Sequence, residues 1–242
     1  MKAIPKILLT FTAIALLATA CSDTDEPSPS PDVQDTTTVR DNSIPGWVDL
    51  GLPSGLLWAE SNLGANAPEA RGNYYTWGET TPKNYCFWDT YIHCNGNYDK
   101  LTKYCNSPQY GLEGYTDSLT TLEPYDDAAT VNLENNARTP TIDEWRELAG
   151  NTTISWTSLN GTYGLRYTST SNGNSIFLPA AGTPDGELAG RSGAYWSSSL
   201  YEDFAPDAWN VWIIESSQGA YHASRFLYRS VRAVREVQPP NR

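Results

Sequence analysis

The chain has 242 residues and a formal net charge of −12, with 16 Lys and Arg against 28 Asp and Glu. This charge argues against a nucleic acid as a partner, because binding to phosphates requires a basic surface. Nine Trp and fifteen Tyr suit either a recognition surface or a small, loop-rich core, and composition alone leaves both interpretations open.

Residues 1–20 have the pattern of an export signal. Lys2 and Lys6 give a basic start, residues 7–20 are apolar, and small residues precede Cys21. The apolar run is too short to span a bilayer comfortably and is typical of a signal peptide. A cysteine in this position resembles a bacterial lipoprotein box, which predicts lipidation of Cys21; the alternative is an ordinary secretory signal with an incidental cysteine. The lipid would anchor the mature protein to a membrane without spanning it.

Residues 21–44 are predicted to form a flexible tether. They are rich in Asp, Ser, Thr and Pro, so they cannot bury enough apolar surface to offset the entropy lost on ordering. The acidic residues Asp23, Asp25 and Glu26 resemble the signal that sends lipoproteins of some gut bacteria to the cell surface. We therefore predict a lipid-anchored protein of the outer membrane that is exposed at the cell surface.

Residues 45–237 have the length of one domain, and residues 238–242 form a short tail. Three cysteines remain in the domain: Cys86, Cys94 and Cys105. An exported protein could pair two of them in a disulfide that closes a long loop, and the pattern leaves open whether it does. A metal site with the nearby His93 is disfavoured, because the spacings match no common zinc pattern. We predict no metal and no cofactor.

The first half of the domain combines short strands with a long irregular segment. Residues 48–58 indicate a strand, a tight turn and a second strand. Residues 72–79 indicate a short aromatic strand that ends at a glycine turn. From Thr80 to Asn136 no period is sustained, so this segment is predicted to be mostly loop. A loop of this length suggests a function or a disulfide.

One helix is strongly indicated after Pro140, where Thr141 and Glu144 form a capping box. Its apolar face comprises Ile142, Trp145, Leu148 and Ala149. A second short helix is indicated at residues 126–129.

The second half of the domain returns to strands and turns. Residues 163–168 and 175–179 are predicted strands, with an Asn172-Gly173 turn between them. Short strands, many turns and one or two helices together predict an α+β domain.

The strand at residues 209–214 carries apolar residues on both faces: Trp209, Val211 and Ile213 on one, and Asn210, Trp212 and Ile214 on the other. A strand covered on both faces is nearly continuously apolar, which favours a central buried strand. In the alternative interpretation, Trp212 and Ile214 lie on an exposed face and contact a ligand. Residues 221–228 mix sizes and polarities without a period of two or 3.6, which favours this alternative.

Residues 230–235 alternate with a period of two and predict a strand with one buried face. Val231 and Val234, together with Trp196, are predicted to be core. We expect Arg232 and Arg235 to pack their stems against the sheet and to pair with acids.

Seven ordered blocks resemble the Fibrobacter succinogenes major paralogous domain, which is widespread in surface lipoproteins of Bacteroides and relatives. The blocks are VDLGLPSGLLW (48–58), YYTWGET (74–80), DAA (127–129), RTPTIDEWREL (138–148), SIFLPAAG (175–182), YWSSS (195–199) and SVRAVR (230–235). They cover essentially the whole globular part. The resemblance implies a C-type lectin-like fold, with a small, mostly antiparallel, twisted sheet, one or two helices and long loops.

Members of this fold carry the variable regions of diversity-generating retroelements, in which adenine-directed mutagenesis rewrites a C-terminal, ligand-binding stretch. The framework YWSSS…AWNV…RSVRAVRE within residues 194–236 is similar to such a region. Residues of the types that mutated Asn codons commonly produce are Phe204, Asp207, Tyr221, Ala223, Ser224, Phe226, Leu227 and Tyr228. The alternative is an ordinary domain of the family, since many of these end similarly.

We therefore predict a ligand-binding face within residues 200–228. Its contact residues are predicted to be Phe204, Asp207, Asn210, Trp212, Ile214, Tyr221, His222, Ala223, Ser224, Phe226, Leu227 and Tyr228.

Calcium-dependent sugar binding is not predicted, because the Glu-Pro-Asn and Trp-Asn-Asp motifs of sugar-specific lectins are absent. Trp209-Asn210 is followed by Val211, and Pro184-Asp185 lacks a preceding Gln. The cysteines that the family often has near Asn62 and Ser155 are also absent.

An enzyme needs a convergent set of reactive groups, and the chain gives little sign of one. Its only histidines, His93 and His222, lie in no nucleophile-elbow context. Carboxylate pairs at residues 126–127 and 202–203 could serve a glycosidase, but in so acidic a chain they are more often solvated surface. We predict no enzymatic activity.

These patterns predict a surface-anchored, non-catalytic ligand-binding protein. Its partner is expected to be a protein or a glycan at the cell surface. The protein is expected to contact the membrane only through the lipid anchor and to be a monomer. The main alternative is a structural or fimbria-associated subunit of the cell envelope that docks permanently through the same aromatic face. A glycan-active enzyme is the third hypothesis.

Overall fold

The structure is a computed structural model that describes residues 46–83, 85–133, 136–183 and 188–237. Within these ranges the chain has a mixed α+β fold with mostly antiparallel sheets and two short α-helices. The predicted signal peptide, Cys21, the tether, the tail and the Pro184-Asp185 position lie outside the described residues. No helix in the described ranges is long and apolar enough to cross a membrane.

The described strands, in chain order, are β1 (Trp47–Asp49), β2 (Leu57–Ala59), β3 (Tyr74–Thr76), β4 (Thr152–Leu159), β5 (Thr162–Ser169), β6 (Ser175–Pro179), β7 (Ser192–Leu200), β8 (Asp207–Ile214), β9 (Ser217–Ser224), β10 (Tyr228–Ser230) and β11 (Val234–Arg235). The helices are α1 (Ala128–Asn132) and α2 (Ile142–Gly150), with single 3-10 turns at Trp88–Thr90 and Leu112–Gly114. The strands form three sheets with the orders β1-β2-β11, β3-β10-β7-β8-β9 and β4-β5-β6.

The first sheet joins the two ends of the described domain. β1 and β2 pair with Trp47 opposite Ala59, which confirms the predicted strand, turn and strand. β11 adds to the other side of β2 with Val234 opposite Trp58. Trp58 is fully buried in the main hydrophobic cluster. This small sheet therefore holds the first and last described strands together against the core.

The helix predicted after Pro140 and the predicted aromatic strand β3 are present, and the second helix begins at Ala128, two residues later than predicted. The hydroxyl of Thr141 accepts a hydrogen bond from the Glu144 backbone N–H, and the Glu144 carboxylate accepts one from the Thr141 N–H. This reciprocal pair satisfies two N–H groups that the first turn of α2 leaves without intrahelical partners. α2 then buries Trp145 edge-on against Trp58, with ring centroids 4.9 Å apart.

The sheet β4-β5-β6 contains a strand that the sequence analysis did not predict. β5 and β6 match the predicted strands, and the Asn172-Gly173 turn connects them. β4 pairs with β5 along its whole length, from Thr152 opposite Ser169 to Leu159 opposite Thr162. Because most residues of β4 are Ser or Thr, its few apolar residues give only a weak signal of period two.

The five-stranded sheet carries the C-terminal stretch. β7, β8 and β9 are antiparallel neighbours, with Tyr195 opposite Val211 and Asn210 opposite Tyr221. β10 pairs with β7 in parallel, with Ser230 opposite Tyr195. This pairing places the residues before Ser230 beside the aromatic and serine residues of β7.

The prediction of one strand over residues 230–235 with a single buried face is wrong. Ser230 ends β10, and β11 begins only at Val234. All six residues are buried, including both arginines. Within the described ranges neither arginine pairs with an acid: Arg232 donates to Asn62 and to backbone carbonyls, and the Arg235 guanidinium lies 4.4 Å from the Trp47 ring centroid. The predicted core positions Trp196, Val231 and Val234 are buried, as expected.

The segment from Thr80 to Asn136 is mostly irregular in its described part, as predicted. Its buried centre contains Leu101 and Tyr104. The Tyr104 hydroxyl and the Lys103 ammonium each donate to the same oxygen of Asp126, both at 2.6 Å. These charge-assisted hydrogen bonds hold the segment together where regular structure is scarce.

Candidate functional site

The structure divides the predicted contact residues into three groups. One group lines an open cavity of ≈ 400 Å³ together with Arg229, and comprises Asn210, Trp212, Ile214, Tyr221, His222 and Ala223. Asp207 and Ser224 are paired at the far end of β8 and β9. The remaining residues pack beside the long irregular segment and are Phe204, Phe226, Leu227 and Tyr228. The predicted stretch is therefore not a single surface.

Strand register explains which side chains share the cavity. Directly opposed residues of antiparallel strands project to the same face, so Asn210 shares a face with Tyr221, and Trp212 shares it with Gly219. Asn210 is only 2 % exposed and donates to the Tyr221 carbonyl at 3.2 Å. Tyr221 is 54 % exposed. Asn210 thus forms the floor of the cavity and Tyr221 its outer wall.

Both interpretations of the strand at residues 209–214 are partly right. β8 lies between β7 and β9, and Val211 and Ile213 point into the main core, as a central strand requires. On the other face, Trp212 and Ile214 are only half-buried and border the cavity. One face of β8 therefore stabilises the fold, while the other is open to a ligand.

Gly219 leaves room for the ring of Tyr221. A Cβ atom at this position would lie 3.1 Å from Cε2 of Tyr221, which is closer than ordinary van der Waals contact. The Tyr221 ring therefore occupies the space above Gly219, opposite Trp212. The absence of a side chain at Gly219 thus allows Tyr221 to form this part of the cavity wall.

Arg229 lines the cavity, although the sequence analysis did not select it. Its guanidinium lies 5.7 Å from the Trp196 ring centroid and 5.9 Å from that of Trp212, within the range of cation–π contacts. Arg229 reaches this position through the pairing of β10 with β7. Because β7 and β10 are far apart in the sequence, no local pattern predicts this pairing. The one local indication for Arg229 is its position directly after residues 200–228.

Although His222 is among the residues that line the cavity, its side chain belongs to the opposite face of the sheet. It is paired with Trp209, so its ring projects away from the side of Trp212. Its Nδ1 lies 2.7 Å from Oδ2 of Asp207, and its ring stacks on Tyr201 with centroids 4.0 Å apart. A carboxylate can orient a catalytic imidazole in this way. However, no hydroxyl or thiol in the described ranges forms a hydrogen bond with Nε2 of His222.

The third group of predicted contact residues packs against the long irregular segment between Thr80 and Asn136. Phe204 packs against Tyr110 and Phe226 against Trp88, with ring centroids 5.0 Å and 5.1 Å apart. Leu227 packs against a buried cluster of aromatic and aliphatic residues, and Tyr228 forms hydrogen bonds with Cys86. These contacts stabilise the fold around the cavity.

The three described cysteines are free thiols, so no disulfide closes the irregular segment. Burial raises the pKa of each thiol, those of Cys86, Cys94 and Cys105. Nε2 of His93 is 2.8 Å from the Gly78 carbonyl oxygen. Across the described residues, no group of three or more His, Cys, Asp or Glu side chains could hold a metal ion.

Comparisons with family models, curated proteins and solved structures found no match for this chain.

Proposed function

We propose that the chain is a surface-anchored, non-catalytic ligand-binding protein and that its ligand occupies the cavity on the β8 and β9 face. The observation that carries this proposal is the convergence of Trp212, Ile214, Tyr221 and Arg229 on one open cavity of ≈ 400 Å³. Ligand sites typically have volumes of about 300–1,000 Å³ and combine aromatic walls with a few polar groups.

The cavity residues suit recognition for distinct physical reasons. Trp212 and Tyr221 offer large, rigid contact areas, and holding such rings in place costs little conformational entropy. Asn210 and Arg229 add polar groups that can orient a ligand. A protein or a glycan at the cell surface is the proposed partner, and the alternative is permanent docking of an envelope or fimbrial subunit on the same face.

The proposal extends to fold and location. We infer a C-type lectin-like fold of the Fibrobacter succinogenes major paralogous type. The seven ordered sequence blocks support it, as do the mostly antiparallel sheets, the capped helix α2 and the long irregular segment. Lipidation at Cys21, a position on the outer-membrane surface and a monomeric state are supported by sequence patterns alone.

The test compares two cavity variants with a matched surface variant. Trp212→Ala and Tyr221→Ala remove cavity walls, whereas Tyr163→Ala removes a tyrosine of similar exposure, 52 %, on β5. The full chain is screened on a printed oligosaccharide array and against a phage-displayed peptide library. Ligands recovered with the unmodified chain should bind each cavity variant at least about tenfold more weakly, since buried aromatic anchors dominate binding energy.

Two results would contradict the proposal. Equal binding by all three variants would place the ligand elsewhere on the molecule. A large drop in melting temperature for both Trp212→Ala and Tyr221→Ala would show that these side chains belong to the core. Failure to recover any ligand, combined with co-purification in a fixed assembly, would favour the envelope subunit.

A further inference from the structure

Arg229 is positioned as a fixed positive charge at the cavity surface. Its backbone belongs to β10, and its guanidinium lies near the rings of Trp196 and Trp212. Trp196 is buried and holds its own indole N–H against the Tyr75 carbonyl at 2.8 Å. Because this ring is anchored in the core, its contact with Arg229 helps to hold the guanidinium beside the cavity.

The hydrogen-bonding capacity of Arg229 is largely unused. A guanidinium has five N–H donors, yet within the described ranges Arg229 makes one long hydrogen bond, from Nη1 to the Tyr228 carbonyl at 3.4 Å. Its Nε is buried without a partner, and no acid in the described ranges forms an ion pair with it. Burial lowers the pKa of Arg229 to about 10, so the group remains charged at neutral pH.

Neighbouring arginines show that this situation is specific to the cavity. Arg232 is 0 % exposed, and all its nitrogens donate to the Asn62 side chain or to backbone carbonyls. Arg225 also keeps unpartnered nitrogens but is 0 % exposed and closed off from solvent. Arg229 is half-buried and lines the open cavity. It therefore combines an unpaired charge with access for a ligand.

The surroundings restrict the anion that would fit. Guanidinium groups form strong bidentate hydrogen bonds with planar carboxylates. Among the described residues that line the cavity, Arg229 is the only Lys or Arg, so a single negative charge is balanced and a polyanion is not. The net charge of −12 also repels polyanions at longer range.

The walls indicate what surrounds the carboxylate. Trp212 and Tyr221 present flat aromatic surfaces, and a pyranose ring offers a flat face of C–H groups that packs on such surfaces. A cavity of ≈ 400 Å³ is large enough for a sugar unit with part of its neighbour. An unbranched aliphatic acid would leave these aromatic surfaces uncovered.

We propose that the cavity binds a carboxylate-bearing sugar unit of a glycan, with the carboxylate on Arg229 and the ring against Trp212 and Tyr221. This inference rests on the proposed function, because it assigns a ligand class to the same cavity.

The test is calorimetric titration of the full chain with three methyl glycosides that share one ring. They are methyl glucuronide, its carboxyl methyl ester and methyl glucoside. The acid should bind about tenfold or more tightly than either neutral compound, as expected for a charge-assisted hydrogen bond. The ester keeps the ring and the carbonyl of the acid but replaces the charge with a methyl group, and the glucoside lacks both the carbonyl and the charge, so the comparison needs no mutant.

Variants then assign the contact. Arg229→Met should reduce the preference for the acid to less than about twofold, while Arg229→Lys keeps the charge and serves if the methionine variant does not fold. Arg146 is an exposed arginine on α2, so Arg146→Met is the control and should leave the preference for the acid unchanged. Arg232 is unsuitable as a control because it is a buried structural residue. Trp212→Ala should weaken binding of acid and ester alike.

The outcomes separate this inference from the proposed function. Equal, Trp212-dependent binding of the acid and both neutral compounds overturns the carboxylate assignment and leaves the cavity as a ligand site. Binding of none of the three, with Trp212-dependent capture of a peptide or of a glycan that has no carboxylate-bearing sugar, overturns the acidic-sugar assignment alone. Binding of none, with no Trp212-dependent ligand in either screen, overturns both.

Discussion

Arg232 lies in a buried site where its whole guanidinium is hydrogen-bonded. Nε and Nη2 donate to Oδ1 of Asn62 at 3.0 Å and 2.7 Å. Nη1 donates to the carbonyls of Ala59 and Glu60, and Nη2 also reaches the carbonyl of Phe177 at 2.9 Å. Burying a charge costs much less free energy when its hydrogen-bonding groups are satisfied. These acceptors explain how an arginine can occupy the core.

We expect Arg232→Met to lower the free energy of unfolding by about 3 kcal/mol or more, because it leaves several buried acceptors without donors. Arg146→Met is the control. Arg146 is exposed, forms an ion pair with Asp143 and lies 5.2 Å from the Trp209 ring centroid, so the effect of the substitution should stay within about 1 kcal/mol. Urea denaturation measures both. Similar small effects for the two variants would show that the Arg232 site relaxes easily or is open to water.

His93 is a buried imidazole that links folding to pH. Its Nε2 lies 2.8 Å from the Gly78 carbonyl oxygen and 3.8 Å from Oδ1 of Asp126. Burial lowers the pKa of His93 below its ordinary value of 6.5, despite the opposing effects of these neighbours. Just below pH 6.5 the unfolded chain therefore binds a proton that the folded chain does not.

Stability should consequently fall as the pH decreases from about 7 to about 5, with a slope of at most about 1.4 kcal/mol per pH unit. Urea denaturation at several pH values in this window measures the slope. His93→Gln removes the titrating group and should flatten the curve. The lowered pKa of Glu144, caused by its hydrogen bonds with Arg138 and Thr141, affects stability only at more acidic pH. An unchanged slope in His93→Gln would assign the pH dependence to other groups.

At the scale of single elements, two glycines differ in the room that their surroundings leave for a Cβ atom. Gly164 lies in β5, where a Cβ atom would be 2.2 Å from the Leu178 carbonyl oxygen of β6. Gly150 is the last residue of α2, and no atom lies within 4 Å of the corresponding position. The same methyl group therefore clashes in one element and fits in the other.

Gly164→Ala should destabilise the protein by about 2 kcal/mol or more, because backbone atoms of the paired strand must move apart. Gly150→Ala should stabilise it by about 0.4–1 kcal/mol, because alanine lowers the entropy of the unfolded chain and favours the helix. Thermal unfolding followed by circular dichroism compares the two variants. Shifts of the same sign would contradict the geometry of one of these sites.

At the scale of the whole molecule, the proposed variable stretch passes through environments with different tolerance for change. Tyr221 lines the open cavity and is 54 % exposed, whereas Leu227 packs against a buried cluster that Ala223 also contacts. If a retroelement rewrites this stretch to diversify one binding site, substitutions at the cavity positions should be varied. Leu227 should accept only other apolar side chains, because polar groups there would be buried without partners.

Deep sequencing of the 3′ end of the gene and its flanking DNA in one bacterial population tests this expectation. Substitutions confined to codons 200–228 and traceable to adenines in a nearby near-copy would support diversification. Codons before residue 200 provide the internal control and should be uniform. A uniform tail without a near-copy would rule out diversification and favour a protein with one fixed partner.

The sequence by itself determined the features that depend on near neighbours. The capping box of α2, the pair of strands β1 and β2 and the Asn172-Gly173 turn all follow from residues close together in the sequence, because their hydrogen bonds and backbone angles are local. The sequence also indicated that Trp212 and Ile214 lie apart from the core face of their strand, since side chains alternate along β8.

Only the tertiary structure decided how these elements combine. Which face Tyr221 and His222 occupy depends on the register of β9 against β8, and a shift of one residue would exchange them. Arg232 is buried because Ala59 and Phe177, distant in sequence, supply its acceptors. Arg229 meets Trp212 only through the parallel pairing of β10 with β7. Such contacts are set by chain segments far apart in sequence, so no local pattern reveals them.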